Sequence, residues 1–367
     1  MKNSYDAIIL GAGINGLAIA KALAIAEKKV LVIEKSHIAS GASSNSSRLI
    51  HGGLRYLEQY EFSLIRESLK DQKYLLDTYP SLVKLHPFYF PIYNNSKRPD
   101  WMIGLGLWLY SLFSKHGKKA IKVSKEEFFS EFKNIKDNNI RAVFKYYDAK
   151  TDDDALTHKI ASEAQDAGVN ILENTQLKEL HIENDTITFD TSKGVFKTNL
   201  FINATGAWID EINKEFNLPS SYTIEKVSGI HIVIDNLLIP EPLLLETASK
   251  RIFFMIPEDK TTIIGTTERS ENSNVDDIKV NNEDIQYLLQ ESNKYLKTEL
   301  KTSDIKETYI GVRPIIKSKK DISQMSREYK LDLHHIANNR ILHIYGGKLT
   351  TFTSLARKVV NLLSRDV

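Results

Sequence analysis

Apolar and polar positions fall in short blocks along the chain. Residues 6–10 run apolar after Asp6, stop at Gly11-Ala-Gly13-Ile-Asn-Gly16, and resume as an Ala-rich, helix-favouring stretch over 17–27. Residues 29–33 form a second apolar run, closed by Glu34. The pattern predicts strand, tight turn, helix, strand, acid, the order of a βαβ unit. A charged helix is predicted over 60–76 and another helix over 158–167, followed by a strand over 168–172. Residues 176–182 and 186–191 alternate as a hairpin with Glu183-Asn-Asp at its turn, and 199–203 is an apolar strand leading into Ala204-Thr205-Gly206. Residues 222–268, rich in β-branched side chains and punctuated by Pro240, Pro242 and Pro257, predict an antiparallel sheet. A polar helix follows over 282–296. The last elements are a strand over 340–345, the turn Gly346-Gly-Lys-Leu-Thr-Thr351 and a helix over 352–363.

The predicted fold is α/β with an α+β cap. A Rossmann-like part is assembled from residues 1–85, 145–217 and 335–367, and an interleaved antiparallel-sheet, substrate-binding part from 86–144 and 218–334. A length of 367 residues leaves room for two such domains. Apolar residues make up 42% and charged residues 26%, which excludes wholesale disorder. Lys+Arg of 49 against Asp+Glu of 47 gives a net charge of +2, too balanced for a nucleic-acid binder. With no cysteine, disulfides, thiolate metal sites and thiol nucleophiles are excluded, and no metal site is expected.

The N-terminal apolar run is not a signal peptide, because Asp6 and three glycines interrupt it. The longest uncharged run, residues 101–113, is thirteen long, whereas a spanning helix needs about 20. Lys115, Lys118, Lys119, Lys122 and Lys125 follow it with no acid before Glu126. An apolar helix beside lysines fits an interfacial anchor; on its own, so short a helix reads as core.

The first βαβ unit carries the chemistry of a dinucleotide site. Gly11 permits the tight turn, Gly13 lets a pyrophosphate approach the backbone, and Gly16 lets helix and strand pack closely. The helix N-terminus offers unpaired N–H groups and positive partial charge to phosphates. Glu34 suits the ribose hydroxyls of an adenosine. After it, Ser40-Gly-Ala-Ser-Ser-Asn-Ser-Ser47 is small and polar, and the chain then enters a loop and a charged helix instead of another βαβ unit. That layout points to FAD bound in extended form.

At Arg48-Leu-Ile-His51-Gly-Gly-Leu-Arg55-Tyr56-Leu-Glu58 the sequence resembles the FAD-dependent (aerobic) glycerol-3-phosphate dehydrogenases of the D-amino-acid-oxidase-like superfamily. The likeness continues through Arg98-Pro-Asp-Trp101, Gly229-Ile-His231, Arg251-Ile-Phe-Phe-Met-Ile-Pro257, Ile264-Gly-Thr266-Thr267, Gly311-Val-Arg313-Pro314, Ser326-Arg327-Glu-Tyr329 and Gly346-Gly347-Lys348-Leu-Thr350-Thr351. It covers essentially the whole chain. Against the family pattern, Glu268 replaces an expected Asp, Asp152-Asp-Asp154 matches only loosely, and a further C-terminal helical domain is not seen.

The resemblance implies FAD held by Gly11, Gly13, Ile14, Asn15, Gly16, Glu34, Lys35, Ser43, Ser44, Ser47, Leu49, His51, Gly52, Gln176, Ala204, Thr205, Gly206, Gly347, Lys348, Leu349 and Thr350. The implied substrate is sn-glycerol 3-phosphate. Its near-dianionic phosphate needs several cations, and Arg55, Arg313, Arg327 and Lys348 are the candidates, with Tyr56 and Thr266 for the hydroxyls. Arg313, between Gly311 and Pro314, is expected on a rigid turn. Hydride passes from C2 to flavin N5 while a base takes the hydroxyl proton, giving dihydroxyacetone phosphate; His51 ranks narrowly ahead of His231 as that base. Lys348 and Arg313 would stabilise the developing oxygen charge. A quinone is the implied acceptor, which strengthens the anchor reading of residues 101–125 and places the chain in the cytoplasm, peripheral on the inner face of the cell membrane. Two other readings stay open: oxidation of an amino acid or 2-hydroxy acid, and a flavin-bound protein without turnover.

Overall fold

The structure, a computed structural model, describes residues 3–54, 61–96, 98–137, 139–249, 251–318 and 328–366. The βαβ unit forms as its pattern predicts, with strands Ala7–Leu10 and Val30–Ile33 in parallel register, Ile8 opposite Leu31. The helix between them is Ile14–Ile25, starting earlier than composition indicated because the glycine turn feeds straight into it.

Six strands make the first sheet, in the order Lys330–Ile336, Asn339–Tyr345, Leu200–Asn203, Ala7–Leu10, Val30–Ile33, Asn170–Leu172. Every neighbour is parallel except the first pair, which is an antiparallel hairpin. The central strands are buried along their whole length, which is why they read as unbroken apolar runs. On one face, helices Ile14–Ile25, Asp153–Asp166 and Phe352–Arg365 pack through Leu17, Leu156, Ile160, Leu355 and Val359. On the other lies a three-stranded antiparallel sheet, Leu177–Ile182, Ile187–Thr191 and Gly194–Thr198, whose Phe189 and Phe196 meet Ile8, Leu31 and Phe201. The hairpin expected there has this third strand as well.

A ten-stranded sheet forms the second layer. Ile224–Asp235 pairs with Thr261–Gly265 and Ile305–Ile316, and Leu243–Glu246 and Ile252–Pro257 continue the sheet. It also includes two long strands the pattern did not predict, Val83–Tyr93 and Ile140–Thr151, paired antiparallel along their length. Val83–Tyr93 contains Pro87 and Pro91, which cannot donate to a ladder. They are tolerated because the other flank of Val83–Tyr93 is nearly unpaired, registering with Leu243–Glu246 only at Tyr89. Leu49–Ile50 joins this sheet, and Lys330–Ile336 the six-stranded one, so sheet membership changes at points other than residues 85 and 335.

The apolar run is the helix Asp100–Phe113. Ile103, Leu107 and Tyr110 are buried against Phe88, Phe144 and Tyr146 of the large sheet. The opposite face exposes Trp101, Met102, Leu105, Trp108 and Leu112. The helix is therefore core along one stripe and apolar toward solvent along another. Among the described residues, no helix is long and apolar enough to cross a membrane.

Candidate active site

The carboxyl ends of the parallel strands open toward the large sheet, across a cavity of about 1780 Å³. Ordinary small-molecule pockets hold roughly 300–1,000 Å³, so this space admits a dinucleotide and a substrate together. The strand order reverses about Ala7–Leu10, with one neighbour formed earlier in the chain's path than the other, which is where α/β sheets bind ligands.

At the first turn, Gly11 has φ +105°, and a Cβ on it would lie 2.7 Å from the Ala204 carbonyl oxygen. A Cβ on Gly16 would lie 2.1 Å from the Gly11 carbonyl oxygen, so both glycines are required by close backbone approach. The Gly13 cap of Ile14–Ile25 makes no side-chain capping bond. The Ser43 hydroxyl accepts from the Ile14 N–H at 3.0 Å, a position that a phosphate oxygen would compete for. Glu34 accepts one N–H on each carboxylate oxygen, from Ala12 at 2.8 Å and Ser36 at 2.9 Å, leaving lone pairs for ribose hydroxyls. Lys35 is tied to Asp276 at 2.7 Å and lies over the Trp208 ring at 4.3 Å.

The C-terminal turn meets the first one. Gly346 and Gly347 have φ of +74° and +100°, and a Cβ on Gly347 would be 2.4 Å from Asn15 Nδ2. Asn15 Oδ1 is buried and unpartnered among the described residues. Two helix N-termini, of Ile14–Ile25 and Phe352–Arg365, thus face one cavity lined by Lys348, Leu349 and Thr350. Close glycine turns, an acid with free lone pairs, an orphan amide oxygen and two helix ends fit an extended FAD.

The substrate end is built by the large sheet. Arg313 sits within the strand Ile305–Ile316, not on a turn; among the described residues that strand pairs on one side only, with Ile224–Asp235, which accommodates Pro314. Its Nη2 donates to Thr266 Oγ1 at 3.0 Å and its Nη1 lies 3.2 Å from Glu268 Oε1. Gly229 leaves the space, since a Cβ there would come within 2.3 Å of both Arg313 and Thr266. Arg251, which sequence reasoning quoted in a motif but gave no role, reaches the other Glu268 oxygen at 3.1 Å. Glu268 is therefore bridged by two guanidinium groups at the cavity wall.

His231 is buried mid-strand, stacked on Tyr309 with ring centroids 4.7 Å apart, and its Nε2 is 2.8 Å from Ser47 Oγ. Burial, then the charges of Arg313 and Arg48, lower its pKa to about 3. It stays a neutral imidazole at physiological pH. His51 lines the cavity from the loop after Leu49–Ile50, and its carbonyl accepts from Thr350 Oγ1 at 3.3 Å.

Of the residues expected from sequence, all that are described line the cavity except three. Gly16 packs within the first turn, Ser44 donates to the Ala39 carbonyl at 2.8 Å, and Gly52 packs against Leu69 and Tyr110. Arg55, Tyr56 and Arg327 lie outside the described residues.

A family model, FAD dependent oxidoreductase, matches residues 6–361. The chain is 35% identical over 375 residues to a glycerol-3-phosphate dehydrogenase of Pseudomonas aeruginosa, covering 98% of this chain and 71% of that one. It is 32% identical over 372 residues to a D-erythritol 1-phosphate dehydrogenase of Brucella abortus, covering 98% and 73%. Among solved structures, the glycerol-3-phosphate dehydrogenase of Bacillus halodurans complexed with FAD matches with a TM-score of 0.78 at 19% identity, covering 99% of this chain and 65% of that chain.

Proposed function

The chain belongs to the FAD-dependent oxidoreductase family, and from that premise we propose that it oxidises sn-glycerol 3-phosphate to dihydroxyacetone phosphate. The observation that carries this reading is the cation cluster. Arg313 and Arg251 share Glu268, and Lys348 lines the same cavity. A carboxylate substrate needs one bidentate arginine; a phosphate close to a dianion calls for several cations.

The glycine turn at 11–16, Glu34 and the turn at 346–350 hold the FAD. When bound there, FAD would supply the hydride acceptor for C2 of the substrate and a route for the electrons outward. His51 takes the C2 hydroxyl proton. His231, held neutral, fixes the Ser47 hydroxyl at the cavity wall beside the positive charges of Arg313 and Arg48. Arg313 and Lys348 stabilise negative charge on the C2 oxygen as the proton leaves. Arg55, Arg327 and Tyr56 complete the phosphate and hydroxyl contacts in this reading, on the strength of their sequence motifs.

The electrons pass to a quinone, with the helix Asp100–Phe113 and the lysines after it resting on the inner face of the cell membrane. The exposed Trp101, Leu105, Trp108 and Leu112 stripe, spaced at helical period, supports this. Lys115, Lys118, Lys119, Lys122 and Lys125 beside it are all exposed. We group residues 1–85, 145–217 and 335–367 as the FAD-binding part and the intervening segments as the substrate-binding part.

Anaerobic bleaching of the flavin band tests the reading. Glycerol 3-phosphate is expected to bleach it within turnover time, while glycine, D-alanine and lactate do not. Bleaching by an amino or hydroxy acid alone overturns the proposal, and no bleaching by any compound supports a protein without turnover. Erythritol 1-phosphate is a necessary arm, because one relative at 32% identity bears that substrate's name. Faster bleaching by the four-carbon phosphate would reassign the substrate within the same chemistry.

A further inference from the structure

We infer that Asp148, together with Tyr110, is a positioning residue for His51, fixing the backbone that carries the imidazole. The inference rests on the reading of His51 as the base. Asp148 lies on the strand Ile140–Thr151, is 3% exposed, and lines the cavity. Its carboxyl receives the Gly52 N–H at 3.3 Å, the Tyr110 hydroxyl at 3.1 Å to either oxygen, and the Gln72 amide. These donors converge on one peptide segment. The Gly52 N–H also donates to the Tyr110 oxygen at 2.8 Å, and Gln72 Nε2 donates to the Ile50 carbonyl at 2.7 Å. The His51 carbonyl between them takes the Thr350 hydroxyl. The residues on both sides of His51, and its own carbonyl, are therefore held by four separate elements.

A fully buried carboxyl is costly unless its partners repay its desolvation. Capping one amide does not require it, since the Tyr110 hydroxyl already sits closer to Gly52 N. What the carboxyl adds is direction. It orients the Tyr110 hydroxyl and the Gln72 amide at the same time, so the loop has one arrangement where two neutral groups would allow several. Gly52 completes the clamp, because a Cβ there would lie 2.3 Å from Leu69 and 2.4 Å from the Tyr110 oxygen. Burial pushes the Asp148 pKa up to about 7, opposed by these same donors.

The test is a double-mutant cycle on the rate of anaerobic flavin reduction by glycerol 3-phosphate, in FAD-loaded enzyme. Asp148→Asn keeps shape and volume, and Tyr110→Phe removes only the hydroxyl. Each is expected to lower the reduction rate about 10-fold or more while KM changes less than about threefold and the flavin spectrum is retained, because positioning of a base enters the transition state and not ground-state binding. In a His51→Gln background, Asp148→Asn should have no further effect. An equal slowing in both backgrounds overturns the positioning role, as does an unaltered rate for Asp148→Asn alone. A His51→Gln enzyme reducing its flavin at the native rate overturns the base assignment itself, in a separate arm. If Asp148→Asn fails to retain FAD, Tyr110→Phe in the two His51 backgrounds decides by the same criterion.

Discussion

On the proposed docking of helix Asp100–Phe113, replacing Trp101 and Trp108 together with serine is expected to release the protein from membranes without disturbing its fold. The two rings are 66% and 51% exposed on a helix whose packed face is formed by Ile103, Leu107 and Tyr110. A Trp side chain carries up to about 250 Å², so the pair present roughly 300 Å² of indole to solvent. At ~25 cal/mol per Å², full transfer out of water would be worth roughly 7 kcal/mol. Immersion of half that surface at headgroup depth is worth about 3–4 kcal/mol, or a partition change of a few hundredfold at ~1.4 kcal/mol per tenfold. The assay is sedimentation with large vesicles of phosphatidylcholine and phosphatidylglycerol, scored as a partition constant. The serine pair should lower it at least 100-fold while FAD content and Tm stay within error of the parent. Changing the five lysines to glutamine should weaken binding only to anionic vesicles and only at low salt, at about 1 kcal/mol per charge. A partition constant within threefold of the parent for the tryptophan pair would refute the docking surface.

Other outcomes follow from the site. Arg313→Lys keeps the charge but loses the fork between Thr266 and Glu268, and steady-state kinetics should show KM for glycerol 3-phosphate raised about 10-fold or more. Gly16→Ala drives a methyl into the Gly11 carbonyl, and should cost about 1–3 kcal/mol in urea melts and leave the purified protein depleted of FAD. His231 binds its proton in the folded state only near pH 3, whereas the unfolded chain binds it from about 6.5. The stabilisation this represents is complete above pH 6.5 and is lost as pH falls from there toward 3. His231→Gln should flatten that part of a urea-stability profile, and an unchanged slope would contradict the buried neutral imidazole.

What could be read from sequence divides by distance along the chain. The first thirty-five residues were legible because Gly11, Gly16 and Glu34 act within one supersecondary unit, where each residue's role follows from local geometry. The strands Val83–Tyr93 and Ile140–Thr151 were not, since prolines and scattered lysines hide a period that only pairing across about fifty residues makes stable. Arg251 sits in a recognisable motif, but its partnership with Glu268 and Arg313 depends on the sheet bringing two loop residues, Arg251 and Glu268, beside the strand that carries Arg313. Asp148 and Tyr110 offered no signal; an acid in a mixed strand and a tyrosine in an apolar helix are ordinary until they bury against the same peptide. The apolar run at 101–113 does not by itself say which side chains pack, and the helix buries Ile103, Leu107 and Tyr110 while exposing Trp101, Leu105, Trp108 and Leu112.

The strand order of the six-stranded sheet sets when this protein can become an enzyme. Ala7–Leu10 is made well before one of its two partners, Leu200–Asn203, which in turn leans on the still later Asn339–Tyr345. No nascent chain shorter than that last strand can close the sheet, or bring the second glycine turn against Asn15. Nucleotide capture therefore waits for that last strand. Until that strand emerges the chain carries unpaired, fully apolar strand edges, and contacts spanning so many residues form slowly. Supply of cofactor once that strand has emerged, and protection of those edges before it, would then govern yield in a cell more than the stability of the finished fold.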